Sequence, residues 1–166
     1  MLAKLENDTY NLYEDNNVLI GKIKTKSKSN FKESEIIIGE KNYKIVREKR
    51  LFQILEDDKI VYNLKTNYFF GSIELLETKQ KIKGVLSSKW GTKLVDKENN
   101  TLLKIRNENQ FINNEKYVIE ISNNKVKDFD VLLTLFGHLY GSSMKQKAVI
   151  FSTIAAVIVA SRILAQ

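Results

Sequence analysis

Ala148-Val-Ile-Phe-Ser-Thr-Ile-Ala-Ala-Val-Ile-Val-Ala160 is apolar on every side and meets no charge until Arg162. A run of this kind has to be hidden from water. As a helix rising about 1.5 Å per residue, residues 148–161 cover about 21 Å, short of a hydrocarbon core about 30 Å thick. Burial inside protein is therefore the first expectation. A helix that is apolar all round needs a wall on every side, which a single sheet face does not supply. The rest of the chain reads as β, so the expected wrapper is a closed barrel with residues 145–165 as its central helix.

Short segments rich in Val, Ile, Leu, Tyr and Phe recur between clusters of Asn, Asp, Glu, Lys and Gly, the pattern of consecutive hairpins. Strands are expected at 9–14, 17–24, 34–39, 42–48, 50–56, 59–65, 68–76, 79–86, 91–96, 101–106 and 117–122. Turns are expected at Asp15-Asn16, Gly39 to Asn42, Asp57-Asp58, Lys97 to Asn100 and Asn123-Asn124, where Asn, Asp and Gly tolerate left-handed geometry. Three stretches resemble one another: Tyr10 to Lys24, Phe52 to Lys65 and Thr92 to Arg106. Each reads strand, acidic turn, strand, as if one hairpin were reused around a single sheet. From Asp128 the period changes. Phe129, Leu132, Leu133, Phe136, Leu139 and Tyr140 follow helical spacing, so an amphipathic helix capped by Asp128 is expected to run to Gly141 and to break at Gly141-Ser142-Ser143. The fold class is thus mainly β with C-terminal helices: about eleven to twelve antiparallel strands in a closed barrel around a buried hydrophobic C-terminal helix. All of residues 1–166 form one domain.

A chain of 166 residues is long enough to bury roughly 70% of its unfolded surface without disulfides. It has no Cys and a single His, His138, which removes thiolate chemistry, sulfur-ligated metals and multi-histidine metal sites. No apolar stretch near Met1 resembles a secretory signal, so cytoplasmic residence is expected, with peripheral membrane association open. Asp57-Asp58 and Asp128-x-Asp130 lack the spacing of a calcium loop and read as turn and cap residues. His138 reads as a satisfied structural residue. Trp90, beside Ser87, Ser88, Lys89 and Gly91, reads as a rim or core residue with an exposed interfacial tip as the alternative. No nucleophile and base form a readable team, no glycines cluster as a phosphate loop, and neither an enzyme nor a cofactor is expected.

The formal charge is +7, and the stretch from Asn17 to Arg50 holds ten Lys or Arg against four Glu. Within it Lys22, Lys24, Lys26 and Lys28 alternate with Ile23, Thr25 and Ser27. On an extended strand the four ammonium groups share one face, while Leu19, Gly21 and Ile23 point the other way. Near an anionic bilayer each such Lys contributes about 1 kcal/mol. The competing reading is a solvated edge strand guarded against aggregation by its lysines. Nucleic acid ranks below a membrane surface, because Tyr68-Phe69-Phe70 is explained as a wall strand without base stacking.

The reused hairpins, the Trp90 to Asp96 segment of form Trp-x-x-x-Leu-x-Asp, the glycines of Ile20-Gly-Lys-Ile and Phe70-Gly-Ser-Ile, and Lys147-Ala-Val opening the last apolar run resemble the tubby C-terminal-like superfamily. That group includes phospholipid scramblases and LURP-one-related proteins. The resemblance implies a barrel of about twelve strands around a central hydrophobic helix, and a role at anionic lipid. The chain lacks the cysteine cluster that anchors animal scramblases by acylation, and no acidic calcium segment precedes Lys145, so calcium-dependent scrambling does not carry over. The expected function is a non-enzymatic barrel that binds an anionic ligand or anionic phospholipid surface through Lys22, Lys24, Lys26 and Lys28. The alternatives are a tail-anchored protein held in the membrane through residues 148–165, with a cytosolic β domain, and a protein–protein interaction module.

Overall fold

Period-two alternation of inward apolar and outward polar residues runs through nearly every strand, and the chain answers with consecutive antiparallel hairpins. The computed structural model describes residues 1–26, 31, 33–49, 51–67, 72–85, 91–109 and 115–144. Twelve strands follow one another: β1 (Leu2–Glu6), β2 (Thr9–Tyr13), β3 (Leu19–Thr25), β4 (Glu33–Ile38), β5 (Lys41–Glu48), β6 (Leu51–Glu56), β7 (Lys59–Asn67), β8 (Ser72–Leu75), β9 (Lys81–Val85), β10 (Gly91–Val95), β11 (Thr101–Asn107) and β12 (Lys116–Ile121). Each pairs antiparallel with its sequence neighbour, and β1 closes the barrel on β12 through Leu2↔Val118, Ala3↔Tyr117 and Lys4↔Lys116. Closure removes both sheet edges, so Lys22 and Lys24 sit in a paired strand; they do not guard an edge. The strand missing from the sequence reading is β1. Its one fully buried residue is Ala3, and Lys4 and Glu6 dilute the apolar signal.

The tight turns follow from residue type. Asn7 and Asp8 (φ 48° and 61°) join β1 to β2, and Asp57 and Asp58 (φ 50° and 58°) join β6 to β7, both in the left-handed pair that a two-residue hairpin requires. At the β4–β5 turn only Gly39 is left-handed, at φ 56°.

The three similar stretches become β2–β3, β6–β7 and β10–β11, spaced four strands apart around a barrel of twelve. Each hairpin shifts register at the same place: between Leu12 and Tyr13, Ile54 and Leu55, and Leu94 and Val95. In each the second strand carries one extra residue, Ile20, Val61 or Leu102, and all three pack into the core. Such bulges add local twist and bend. The reuse seen in the sequence is therefore a threefold repeat of one bulged hairpin.

Eight strands enclose a space that side chains alone can fill; twelve enclose more. Among the described residues that space holds one helix, α1 (128–144), whose residues 131–140 are all buried. It touches strands on every side. Leu132 packs against Gly21 of β3, where a Cβ would stand only 2.7 Å from the Leu132 Cδ1 and from the Ile37 carbonyl oxygen. Phe129 lies between Tyr43 of β5 and Tyr62 of β7, with ring centroids 4.7 and 5.2 Å away. Phe136 meets Phe52 of β6 edge-on at 5.4 Å and Phe31 at 6.0 Å. Gly137 faces Ile73 and Ile82 on β8 and β9. His138 completes the circuit against β10, β11 and β12.

Three expectations change here. The helix is buried all round over 131–140 where a one-sided amphipathic helix was expected, and it continues through Gly141 to residue 144. The reason is the wall: Thr134, Gly137 and His138, which dilute the apolar pattern, are accommodated inside by a backbone bond, a close approach and a polar pair. Its start also differs from the Asp128 cap. The Asp130 carboxylate accepts from the Lys127 backbone N–H at 3.0 Å, the reciprocal half of a capping box. The assignment of 145–165 as central helix lies outside the described residues.

Candidate functional site

Among the described residues the barrel interior is a packed apolar core that holds a small polar cluster around His138. His138 is buried; its Nδ1 lies 2.8 Å from Thr92 Oγ1 and its Nε2 lies 3.0 Å from Asn107 Oδ1. With the Asn107 amide oxygen facing it, Nε2 is assigned the proton and donates, while Nδ1 accepts from the Thr92 hydroxyl, so both ring nitrogens have a partner. The ring also meets the Tyr117 edge at 5.5 Å. This cluster ties α1 to three wall strands, the structural role read for His138. Burial pushes the Asp130 carboxyl above the usual range, against the opposing pull of the Lys127 N–H and charge. Asp57 and Asp58 are turn residues, as expected. Among the described residues no group of three or more His, Asp and Glu converges to hold a metal, and no helix is long and apolar enough to cross a membrane. Trp90, Tyr68-Phe69-Phe70 and residues 148–165 lie outside the described residues.

Among the described residues no Lys, Arg, Asp or Glu is fully buried, so the charge of the chain is carried on the outer wall and rims. On β3, Gly21 and Ile23 point inward and Lys22 and Lys24 outward, with Lys26 exposed just beyond the strand. Lys28 lies outside the described residues. Leu19 departs from the expected alternation: the bulge at Leu12/Tyr13 pairs it with Tyr13 on the outer surface, and it is 51% exposed.

The register also shows what stands beside these lysines. Lys24 is opposite Glu35 of β4, and Glu35 is opposite Lys44 of β5. Lys26 donates to Glu33 at 2.6 Å, and that bond and its charge raise the Lys26 pKa. Lys41 is held likewise by Glu56 at 3.0 Å, and Lys44 reaches Asp58 at 3.2 Å. An open cleft of about 420 Å³ runs along this face, lined by Lys24, Lys26 and Lys44 but also by Glu33 and Glu35. The basic excess between residues 17 and 50 is thus interleaved with carboxylates once β4 lies between β3 and β5.

On a different face three lysines meet with no carboxylate between them, although Glu74 of β8 pairs with Lys81 at 3.7 Å and Glu120 of β12 stands opposite Lys104. The sequences of β9, β10 and β11, KIKGV, GTKLV and TLLKIRN, contain no Asp or Glu. Lys83 is directly opposite Lys93, and Lys93 is directly opposite Lys104. The three lie in one row across the outer wall, with Lys81 and Arg106 on the same strands. Sequence reasoning missed this row because its members stand about ten residues apart in separate strands. The repeat Thr92 to Arg106 already contained two of them, and aligning it with its two counterparts was the available signal.

No family model, no curated protein and no solved structure matches this chain.

Proposed function

We propose that this protein is a non-enzymatic, tubby- and scramblase-like barrel that binds an anionic ligand or an anionic phospholipid surface through its basic outer wall, which includes Lys22, Lys24 and Lys26, with Lys28 following in sequence. The observation that carries this reading is the way the barrel is filled. Because α1 occupies the interior among the described residues, an internal ligand of the kind held by smaller open barrels has no room there. Recognition falls to the outside, where the net positive charge resides, and a field of one sign attracts partners of the other. Twelve strands around a buried helix also match the architecture that the tubby-like resemblance implies.

The test is co-sedimentation of the full chain with phosphatidylcholine vesicles with and without phosphatidylserine, repeated across ionic strength. Preferential partition into the anionic vesicles that weakens as salt screens the surface is the expected result. Equal partition into both vesicle types, or binding indifferent to salt, refutes the reading; salt-resistant recovery in both would favour the anchor formed by residues 148–165.

A further inference from the structure

We infer that the outer wall of β9–β11, with Lys83, Lys93 and Lys104 side by side, is the surface that docks on an anionic phospholipid bilayer. This rests on the proposed function and moves its main contact away from β3, because there Glu35 stands between Lys24 and Lys44 and Glu33 pairs with Lys26, whereas in the β9–β11 row no carboxylate stands between the lysines and Glu120 of β12 follows only beyond Lys104.

Like charges directly opposite one another on neighbouring strands destabilise a sheet. Neighbouring strands lie about 4.8 Å apart, so the row gathers three ammonium groups across about 10 Å of wall. Lys83 Nζ donates to the neutral Asn99 Oδ1 at 2.8 Å, and the Arg106 guanidinium stands 3.7 Å from Glu120, the residue opposite Lys104. Among the described residues no carboxylate comes within ion-pair distance of Lys93 or Lys104.

The threefold repeat supplies an internal comparison. The facing pair Lys93 and Lys104 corresponds to Asn11 and Lys22 in the first hairpin, and to Gln53 and Asn63 in the second. The bulged hairpin therefore folds with an amide in place of either lysine, and the fold itself does not require the double positive charge. A row that the architecture does not need, and that costs stability in the free protein, is explained by a partner carrying negative charge.

The chemistry of the face favours a bilayer among such partners. Lysine is a flexible, strongly hydrated point charge suited to a diffuse anionic surface. No aromatic residue occurs in β9, β10 or β11 to stack on a base, which a single-stranded nucleic acid platform needs.

The experiment compares the full chain with two variants of equal charge change, Lys83→Gln/Lys93→Gln/Lys104→Gln and Lys22→Gln/Lys24→Gln/Lys26→Gln. Partition into phosphatidylserine-containing vesicles is read as a ratio to partition into phosphatidylcholine alone, so any contribution of residues 148–165 cancels. The β9–β11 variant is expected to lose about a hundredfold of that ratio, and the β3 variant much less. The β9–β11 variant is also expected to melt no lower than the parent at low salt, which separates lost docking from lost folding. Equal losses in both variants, or a loss confined to the β3 variant, overturn the inference and leave the proposed function standing. A parent chain with no anionic preference removes both. Tighter binding to a single-stranded oligonucleotide than to vesicles, abolished by the same β9–β11 changes, overturns the choice of a bilayer.

Discussion

The placement of α1 inside the barrel makes Gly137→Leu a decisive substitution, because the sign of its effect depends on where the helix sits. On a solvent-facing helix, replacing Gly with Leu gains about 0.8 kcal/mol of helix propensity. Inside this barrel a Cβ at position 137 would stand 2.9 Å from Ile82 Cγ2, 3.2 Å from Ile82 Cδ1 and 3.5 Å from Ile73 Cδ1. The first added carbon already forces Ile82 to shift, and three more must follow it. Overpacking a tight core costs about 1–3 kcal/mol, and four carbons in a gap too small for one place this site at the upper end. Subtracting the propensity gain leaves a net loss of about 2 kcal/mol, or a melting point lower by about 4–8 °C. Urea and thermal unfolding followed by far-ultraviolet circular dichroism measure it. The double variant Gly137→Leu/Ile82→Ala should be less destabilised than the sum of its single changes, by about 0.5–3 kcal/mol, because Ile82→Ala opens the space that the leucine needs. An increase in stability for Gly137→Leu, or strict additivity with Ile82→Ala, would refute the threading of α1 between these walls.

Truncation after Met144 is expected to leave a cooperatively unfolding β-rich barrel, because residues 131–140 already fill the interior from β3 round to β12; a chain that no longer folds would show that α1 is insufficient as a core. Asp130→Asn keeps an acceptor for the Lys127 N–H and removes a carboxylate whose folded pKa is raised by burial. A raised carboxyl pKa means that this group's favourable contribution is fully present below its unfolded value and is lost as pH rises through the folded one. The variant is therefore expected to be more stable than the parent at neutral pH, with the difference shrinking on acidification toward pH 4. A lower melting point at neutral pH would instead mean that attraction of the Asp130 charge to the helix N-terminus outweighs its burial.

Much of the wall was legible because strand signals are local. Alternation at Tyr10 and Leu12, at Phe52 and Ile54, and at Leu103 and Ile105 marks inward faces wherever the strands end up, and the Asp57-Asp58 turn identifies itself by residue type. The apolar run 148–160, from which a buried central helix was expected, lies outside the described residues. The helix found inside is α1, which resembled a one-sided helix on paper because Gly137 and His138 interrupt its apolar surface. Nothing local to those residues states that Ile82 will press against the glycine or that Thr92 and Asn107 will satisfy the imidazole; these partners come from strands 31 to 55 residues earlier.

The basic surface divides the same way. By itself the sequence determined that the chain is positively charged, that Lys22 and Lys24 share a face, and that one hairpin pattern recurs three times, since each of these depends only on composition or on spacing along a strand. Only the tertiary structure decided which charges are neighbours. Register set Glu35 between Lys24 and Lys44, and the same rule set Lys93 between Lys83 and Lys104. Cross-strand partners are chosen by turn length, bulges and barrel closure together, so a cluster dense in sequence was interleaved with carboxylates while lysines scattered over three strands came to stand side by side with no carboxylate between them.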